Sequence, residues 1–209
     1  MTTQSREPHH FFHVEGVTLP KELRDILVEQ SKQDVLPSND VANPEITGRF
    51  DRNRSLEEVH YTINKVCTHP AFDGCAYVSN WYSPELKTLW ELIHPEAQKH
   101  IAYIILQRSM PHGFMSPHKD WEHFREKRKA VMFLPLTPYS AEEWAPLTFY
   151  KEDGNTKVAE VEFSPCYVAD TQRVHGYENN HNYRASVAIA FDCGEETLYT
   201  LYEQGKLIA

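Results

Sequence analysis

The chain has no run of eighteen apolar residues, so no membrane-spanning helix is expected. Its opening, MTTQSREPHH, lacks the apolar stretch of a secretory signal, and a cytoplasmic protein is expected. No C-x-x-C pair is present. Cys67, Cys75, Cys166 and Cys193 are widely scattered, which argues against a cysteine-type zinc site and fits free thiols in a reducing compartment. Positive charge is short as well: 21 Lys and Arg stand against 30 Asp and Glu, for a net charge of −9. That balance disfavours a broad phosphate-contacting surface, so nucleic acid is not expected as a partner, and without a spanning run neither is a membrane. The one basic-leaning stretch, 122–129 (EHFREKRK), reads as a solvated segment. Internal repeats and low-complexity tracts are absent.

What is present is an ordinary globular composition, 41% hydrophobic and 24% charged over 209 residues, enough for one domain with a real core. Helical signals gather in the first half. Pro20 stands at a first helical position ahead of Leu23, Ile26 and Leu27. Residues 34–53 are rich in Pro, Asn and Asp and read as a long loop. Ser55 to Glu58 matches a capping box, backed by a stripe of Leu56, Val59, Ile63 and Val66. Ser83 and Pro84 open another helix carrying Leu86, Leu89, Trp90 and Ile93. From residue 101 onward short β-prone runs recur, at 101–106, 130–136, 147–150, 158–163, 167–169, 185–191 and 198–202, separated by Pro, Gly, Asn and Asp. Many short strands at this spacing predict a sandwich or barrel, with the helices on one outer face.

The chemistry sits on a few residues. In an extended segment His118 and Asp120 point to the same side, so an imidazole and a carboxylate converge. Alone, H-x-D is common, and a surface pair explains it as well. His175 follows the strand at 167–169 and supplies a third ligand from a distant part of the chain. Two histidines and one carboxylate on one face of a metal leave positions open, the pattern of non-haem Fe(II) oxygenases. A zinc hydrolase can use the same set, but its helical motif H-E-x-x-H is absent. Nine residues further on, Arg184 and Ser186 begin a strand whose alternate positions continue as Ala188 and Ala190, while Ala185, Val187, Ile189 and Phe191 make the other, bulkier face. A guanidinium on an inner strand face needs a partner, and a carboxylate-bearing cosubstrate supplies one.

With these residues in order, the sequence resembles the Fe(II)/2-oxoglutarate-dependent oxygenase superfamily, over about residues 101–191, through H-x-D…H…R-x-S at His118, Asp120, His175, Arg184 and Ser186. The resemblance implies a double-stranded β-helix, or distorted jelly roll, for the part at 101–209; with the helical signals of a helix-rich part at 1–100 packed on its outer face, the expectation is a mainly β, α+β fold in a single domain, 1–209. It implies Fe(II), 2-oxoglutarate and O₂ as cofactors, with His118, Asp120 and His175 as metal ligands and Arg184 and Ser186 on the far carboxylate of 2-oxoglutarate. The carboxylate ligand Asp120 implies hydroxylation or a related oxidation, because relatives that halogenate replace it with a small residue. The implied reaction is hydroxylation of a small organic substrate, an amino acid or short peptide, with 2-oxoglutarate converted to succinate.

Supporting positions follow from alternation. Tyr103, Gln107 and Ser109 share a face on the strand before the motif, and Tyr103 and Gln107 are candidates for the cosubstrate. The family's usual Tyr before the glycine turn is replaced by Met110, ahead of Pro111, His112 and Gly113. Arg173 and Arg125 are candidates to meet substrate, against surface roles for each; Trp121 is a further candidate, which points away from the metal if the strand continues or starts a lid over the pocket. His112 and His123 flank the triad and read as non-ligands. The segment 175–182 reads as a loop. Two other functions remain compatible with these residues: a cupin-like metalloenzyme that keeps the three ligands without 2-oxoglutarate, and a non-catalytic β-sandwich binding module with coincidental histidines.

Overall fold

The computed structural model describes residues 9–32, 65–66, 72–78, 84–120 and 129–209. Among the described residues ten strands form one curled antiparallel sheet: β1 (Phe11–His13), β2 (Lys65–Val66), β3 (Phe72–Val78), β4 (Ile101–His118), β5 (Ala130–Thr137), β6 (Thr148–Tyr150), β7 (Lys157–Glu160), β8 (Tyr167–Ala169), β9 (His175–Glu178) and β10 (Arg184–Phe191). Their order is β1-β8-β5-β10-β4-β9-β6-β7, with β3 also on β4 and β2 on β3. The long β4 serves both halves of the path. Its first part pairs with β10, from Ile101 opposite Phe191 to Ser109 opposite Arg184, and its last part pairs with β9, from Phe114 opposite Glu178 to His118 opposite His175. Between them lies His112, at a φ of 61°. One layer is therefore β8-β5-β10 with the start of β4, and the facing layer is the end of β4 with β9-β6-β7. The fold is a double-stranded β-helix.

Period-two alternation sorts the side chains between two cores. The inner one holds Ile105, Val131, Phe133, Trp144, Phe149, Val161, Tyr167, Ala169, Ala188 and Ala190, drawn from both layers. The outer one holds Ala185, Val187, Ile189 and Phe191 from β10 with Leu27, Leu89, Ile93, Leu198 and Leu207. Helices α1 (Lys21–Ser31), α2 (Pro84–Glu91), α3 (Pro95–Gln98) and α4 (Glu195–Glu203) supply that outer cover. Fully burying an aliphatic side chain such as Leu27 or Leu198 contributes about 1.5–3 kcal/mol. Among the described residues no helix is long and apolar enough to cross a membrane.

Several local expectations need correction. Pro20 is the cap residue of α1, one position before its first turn, and accepts from the Arg24 N–H. Of the α1 stripe, Leu27 is buried but Ile26 is exposed. Residues 198–202, read as a strand, lie in α4. Gly194 caps it, Glu195 and Glu196 fill its first turn, and Gly205 at φ 66° closes it, with Lys206 N–H donating to Leu201 O and Gly205 N–H to Tyr202 O. This is a glycine-closed helix end, and it outweighs the β-prone Leu-Tyr-Thr-Leu-Tyr composition. Residues 175–178, read as loop, form β9, held between β4 and β6. Val66, assigned to a helical stripe, lies in β2. The long loop at 34–53 and the capping box at 55–58 lie outside the described residues.

Candidate metal centre

The ends of β4 and β9 meet the loop that leaves β8. His118 is the last residue of β4, His175 is the first of β9, and the two are cross-strand partners with ring centroids 4.6 Å apart. Asp120 lies two residues past β4, where its N–H donates to Thr171 O at 3.0 Å. That bond ties the H-x-D turn to the loop carrying His175. The Nε2 atoms of both histidines lie 4.0 Å from Asp120 Oδ1. The ligand atoms of all three residues lie within 4.8 Å of one another, with Asp120 and His175 buried and His118 partly so. Two imidazoles and one carboxylate gathered this closely form a candidate metal centre.

The hydrogen bonds behind the rings decide what the triad presents. His118 Nδ1 lies 2.7 Å from Ser116 O and His175 Nδ1 lies 2.8 Å from Arg173 O. A carbonyl oxygen only accepts, so each Nδ1 carries the proton and donates. Each Nε2 is then a lone-pair donor facing the carboxylate, the orientation imposed by backbone acceptors in metal sites. Two neutral imidazoles and one carboxylate fit Fe(II) and leave further coordination positions for other ligands. Gly176 permits this approach: a Cβ there would sit 2.5 Å from Met115 O and 3.1 Å from Pro117 N, so any side chain would push β9 off β4 beside His175.

At the start of β10 lies the buried Arg184, opposite Ser109 of β4. Its guanidinium carbon sits 4.3 Å from the Trp144 ring centre and 4.6 Å from that of Tyr177, and Nη1 donates to Ala145 O. Among the described residues no carboxylate forms an ion pair with it. Tyr167 on β8 is close enough to feel the Arg184 charge, yet burial pushes its phenol up to about 12 in spite of that cation. Ser186, also buried, lies opposite Gln107 on β4 and Pro135 on β5. The inner face of β10 thus runs from a polar end at Arg184 and Ser186 to small apolar residues at Ala188 and Ala190, as the alternation predicts.

The other candidates divide. Tyr103 is opposite Ala190 in register, but its side chain lies outside what the structure describes, as do Trp121, His123 and Arg125 altogether. Arg173 donates its Nε to Asp170 Oδ2 at 3.0 Å and is one-third exposed, on the loop whose carbonyl orients His175. His10 is close by and stacks on Phe149, itself 6.3 Å from His175. Burial, then Arg173, pulls its imidazole below the ordinary value. His112 pairs with His181 at 3.2 Å. The residues absent from the sequence reading are Trp144, Tyr177 and Tyr167 around Arg184. No spacing rule links them, because three different segments bring them together.

No family model matches the chain, and neither does any curated protein. Solved structures do. A prolyl-4-hydroxylase from Pseudomonas putida is 14% identical with a TM-score of 0.48, over 83% of this chain and 87% of its own. A prolyl hydroxylase from Trichoplax adhaerens, in complex with a hypoxia inducible factor peptide fragment, is 12% identical with a TM-score of 0.47, over 87% and 82%. A 2OG-Fe(II) oxygenase family oxidoreductase from Burkholderia pseudomallei is 11% identical with a TM-score of 0.41, over 57% and 67%. At these scores the likeness carries no argument, and the fold rests on the strand order itself.

Proposed function

We propose that this chain is an Fe(II)- and 2-oxoglutarate-dependent oxygenase that hydroxylates a small organic substrate, an amino acid or short peptide. One observation supports it above the others: a buried arginine without a carboxylate partner among the described residues lies on the inner face of β10 and stacks on Tyr177, two residues from the His175 of the triad on β9. A triad alone suits many metalloenzymes. A buried guanidinium on the same inner side of the fold calls for a dianionic cosubstrate.

His118, Asp120 and His175 hold the metal. Fe(II) held there with 2-oxoglutarate and O₂ would supply the oxidation of a substrate C–H bond, one oxygen atom entering the product and the other entering succinate as CO₂ leaves. The chain's residues do the rest. Arg184 engages the far carboxylate of 2-oxoglutarate through its planar fork, held in orientation by the Trp144 and Tyr177 rings. The Ser186 and Tyr167 hydroxyls and the Gln107 amide are further donors on that side, with Tyr103 the remaining candidate. Phe133, Phe149 and Trp144 exclude water from the space between the layers, which strengthens each of these contacts. Arg173 is the candidate to meet a substrate carboxylate, joined by Trp121 and Arg125 from the segment after β4. The scattered thiols keep the cytoplasm as the expected compartment.

The test is a succinate-release screen of the full chain with Fe(II), 2-oxoglutarate and a panel of amino acids and short peptides, read by mass for a gain of one oxygen. Succinate formed in step with an oxygenated product is the expected result. Metal-dependent turnover that ignores 2-oxoglutarate would instead identify a cupin-like enzyme and overturn the proposal.

A further inference from the structure

A second group of metal-ligating side chains lies outside the triad. His100 immediately precedes β4, and Asp192 and Cys193 immediately follow β10, the strand paired with it. The ladder continues one step past the named strands, since the Asp192 N–H donates to His100 O at 2.9 Å. This fixes the backbone under both side chains. His100 Nδ1 then lies 3.3 Å from Asp192 Oδ1. Consecutive residues of a strand point to opposite faces, so Asp192 and Cys193 would normally diverge. The chain bends at 192–193 as β10 ends. The bend leaves the Cys193 sulfur, the Asp192 carboxylate and a His100 ring nitrogen all within 4.8 Å of one another, each residue partly buried.

This is not a patch of surface acids. It offers one nitrogen, one oxygen and one sulfur donor from two anchored strand ends, and a thiolate with an imidazole selects a borderline-soft cation over calcium or magnesium. Three protein ligands with a water in a fourth position form a tetrahedral zinc-type arrangement. A carboxylate and a thiolate also neutralise a divalent charge. We infer that His100, Asp192 and Cys193 form a second metal site, for Zn²⁺ or a cation of similar softness, that shares no ligand with the triad and clasps the start of β4 to the end of β10.

Cobalt titration of the metal-free full-length chain tests this, because a cobalt–thiolate bond gives an intense near-ultraviolet charge-transfer band. The triad has no sulfur and cannot produce one. The wild type is expected to bind two Co²⁺ and to show the band. Cys193→Ser should bind one and lose the band, and His100→Gln should weaken the band's midpoint at least tenfold. His175→Ala should also bind one Co²⁺ but retain the band, and circular dichroism checks that each variant is folded. A wild-type chain without the band, a band that survives Cys193→Ser, or one unaffected by His100→Gln overturns the inference. A wild type that binds one Co²⁺ with the band supports this site and counts against the triad, so the two failures are distinguishable.

Discussion

Replacing Arg184 with lysine separates a cosubstrate clamp from a structural arginine. The guanidinium lies between Trp144 and Tyr177, at 4.3 and 4.6 Å, and spends one nitrogen on Ala145 O. Its remaining N–H groups form the fork proposed for the carboxylate. Lysine keeps the charge but has no planar fork, so one charge-assisted hydrogen bond of about 1.5–3 kcal/mol is lost. At about 1.4 kcal/mol per tenfold, 2-oxoglutarate should bind the Fe(II) form roughly ten- to hundredfold more weakly. The stacking that goes with it is worth about 0.5–2 kcal/mol per ring in a desolvated setting, so the Tm should also fall by several degrees, at roughly 2–4 °C per kcal/mol for a domain of this size. The assay is an anaerobic titration of 2-oxoglutarate into the Fe(II)-loaded protein, run on wild type and Arg184→Lys alongside thermal melts. A lowered Tm with 2-oxoglutarate affinity unchanged within about twofold would mean that the arginine only supports the fold, and the clamp would be refuted.

Three further outcomes follow from the geometry. Tyr167→Phe removes the hydroxyl proposed as a further donor to the cosubstrate near Arg184 and should weaken 2-oxoglutarate binding by about three- to tenfold, a loss on the order of 1 kcal/mol, while metal binding alone is unchanged; isothermal titration reads both. Gly176→Ala puts a methyl 2.5 Å from Met115 O, and should cost about 1–3 kcal/mol in denaturant unfolding and weaken Fe(II) binding, because His175 is displaced with β9. Alkaline pH should destabilise the metal-free protein. Burial raises the Tyr167 phenol from 10.0 to about 12 and raises the buried Cys166 thiol above its ordinary 9.0. Groups with folded values above their unfolded ones keep their full stabilisation below the unfolded value and lose it as pH rises. The Tm should therefore drop from about pH 9 upward, with a shallower slope above pH 10 in Tyr167→Phe.

What the sequence made readable is what obeys local periodicity. His118 and Asp120, two apart at a strand end, converge as alternation requires, and Arg184, Ser186, Ala188 and Ala190 line one face of β10 while Val187 and Ile189 join the outer core. The parts that eluded it are set by distant pairing. β9 is four residues containing a glycine and followed by two asparagines, and it is a strand because β4 and β6 flank it. α4 resembles a strand in composition and was recognisable only through Gly194, its two first-turn glutamates and Gly205. The aromatic box around Arg184 takes Trp144, Tyr167 and Tyr177 from separate segments. The second ligand group depends on two strand ends meeting, with a bend that turns Cys193 beside Asp192, and the scatter of cysteines along the chain conceals it.

The proposed site holds one iron on His118, Asp120 and His175, with 2-oxoglutarate on Arg184. Anaerobic titration of the metal-free chain with Fe(II) and 2-oxoglutarate reads it through the weak visible charge-transfer absorption that arises when both share a site. The band should require both additions, saturate at one iron and one 2-oxoglutarate per chain, and be absent in His175→Ala. A band that never appears, or one that persists in folded His175→Ala, would contradict the assignment.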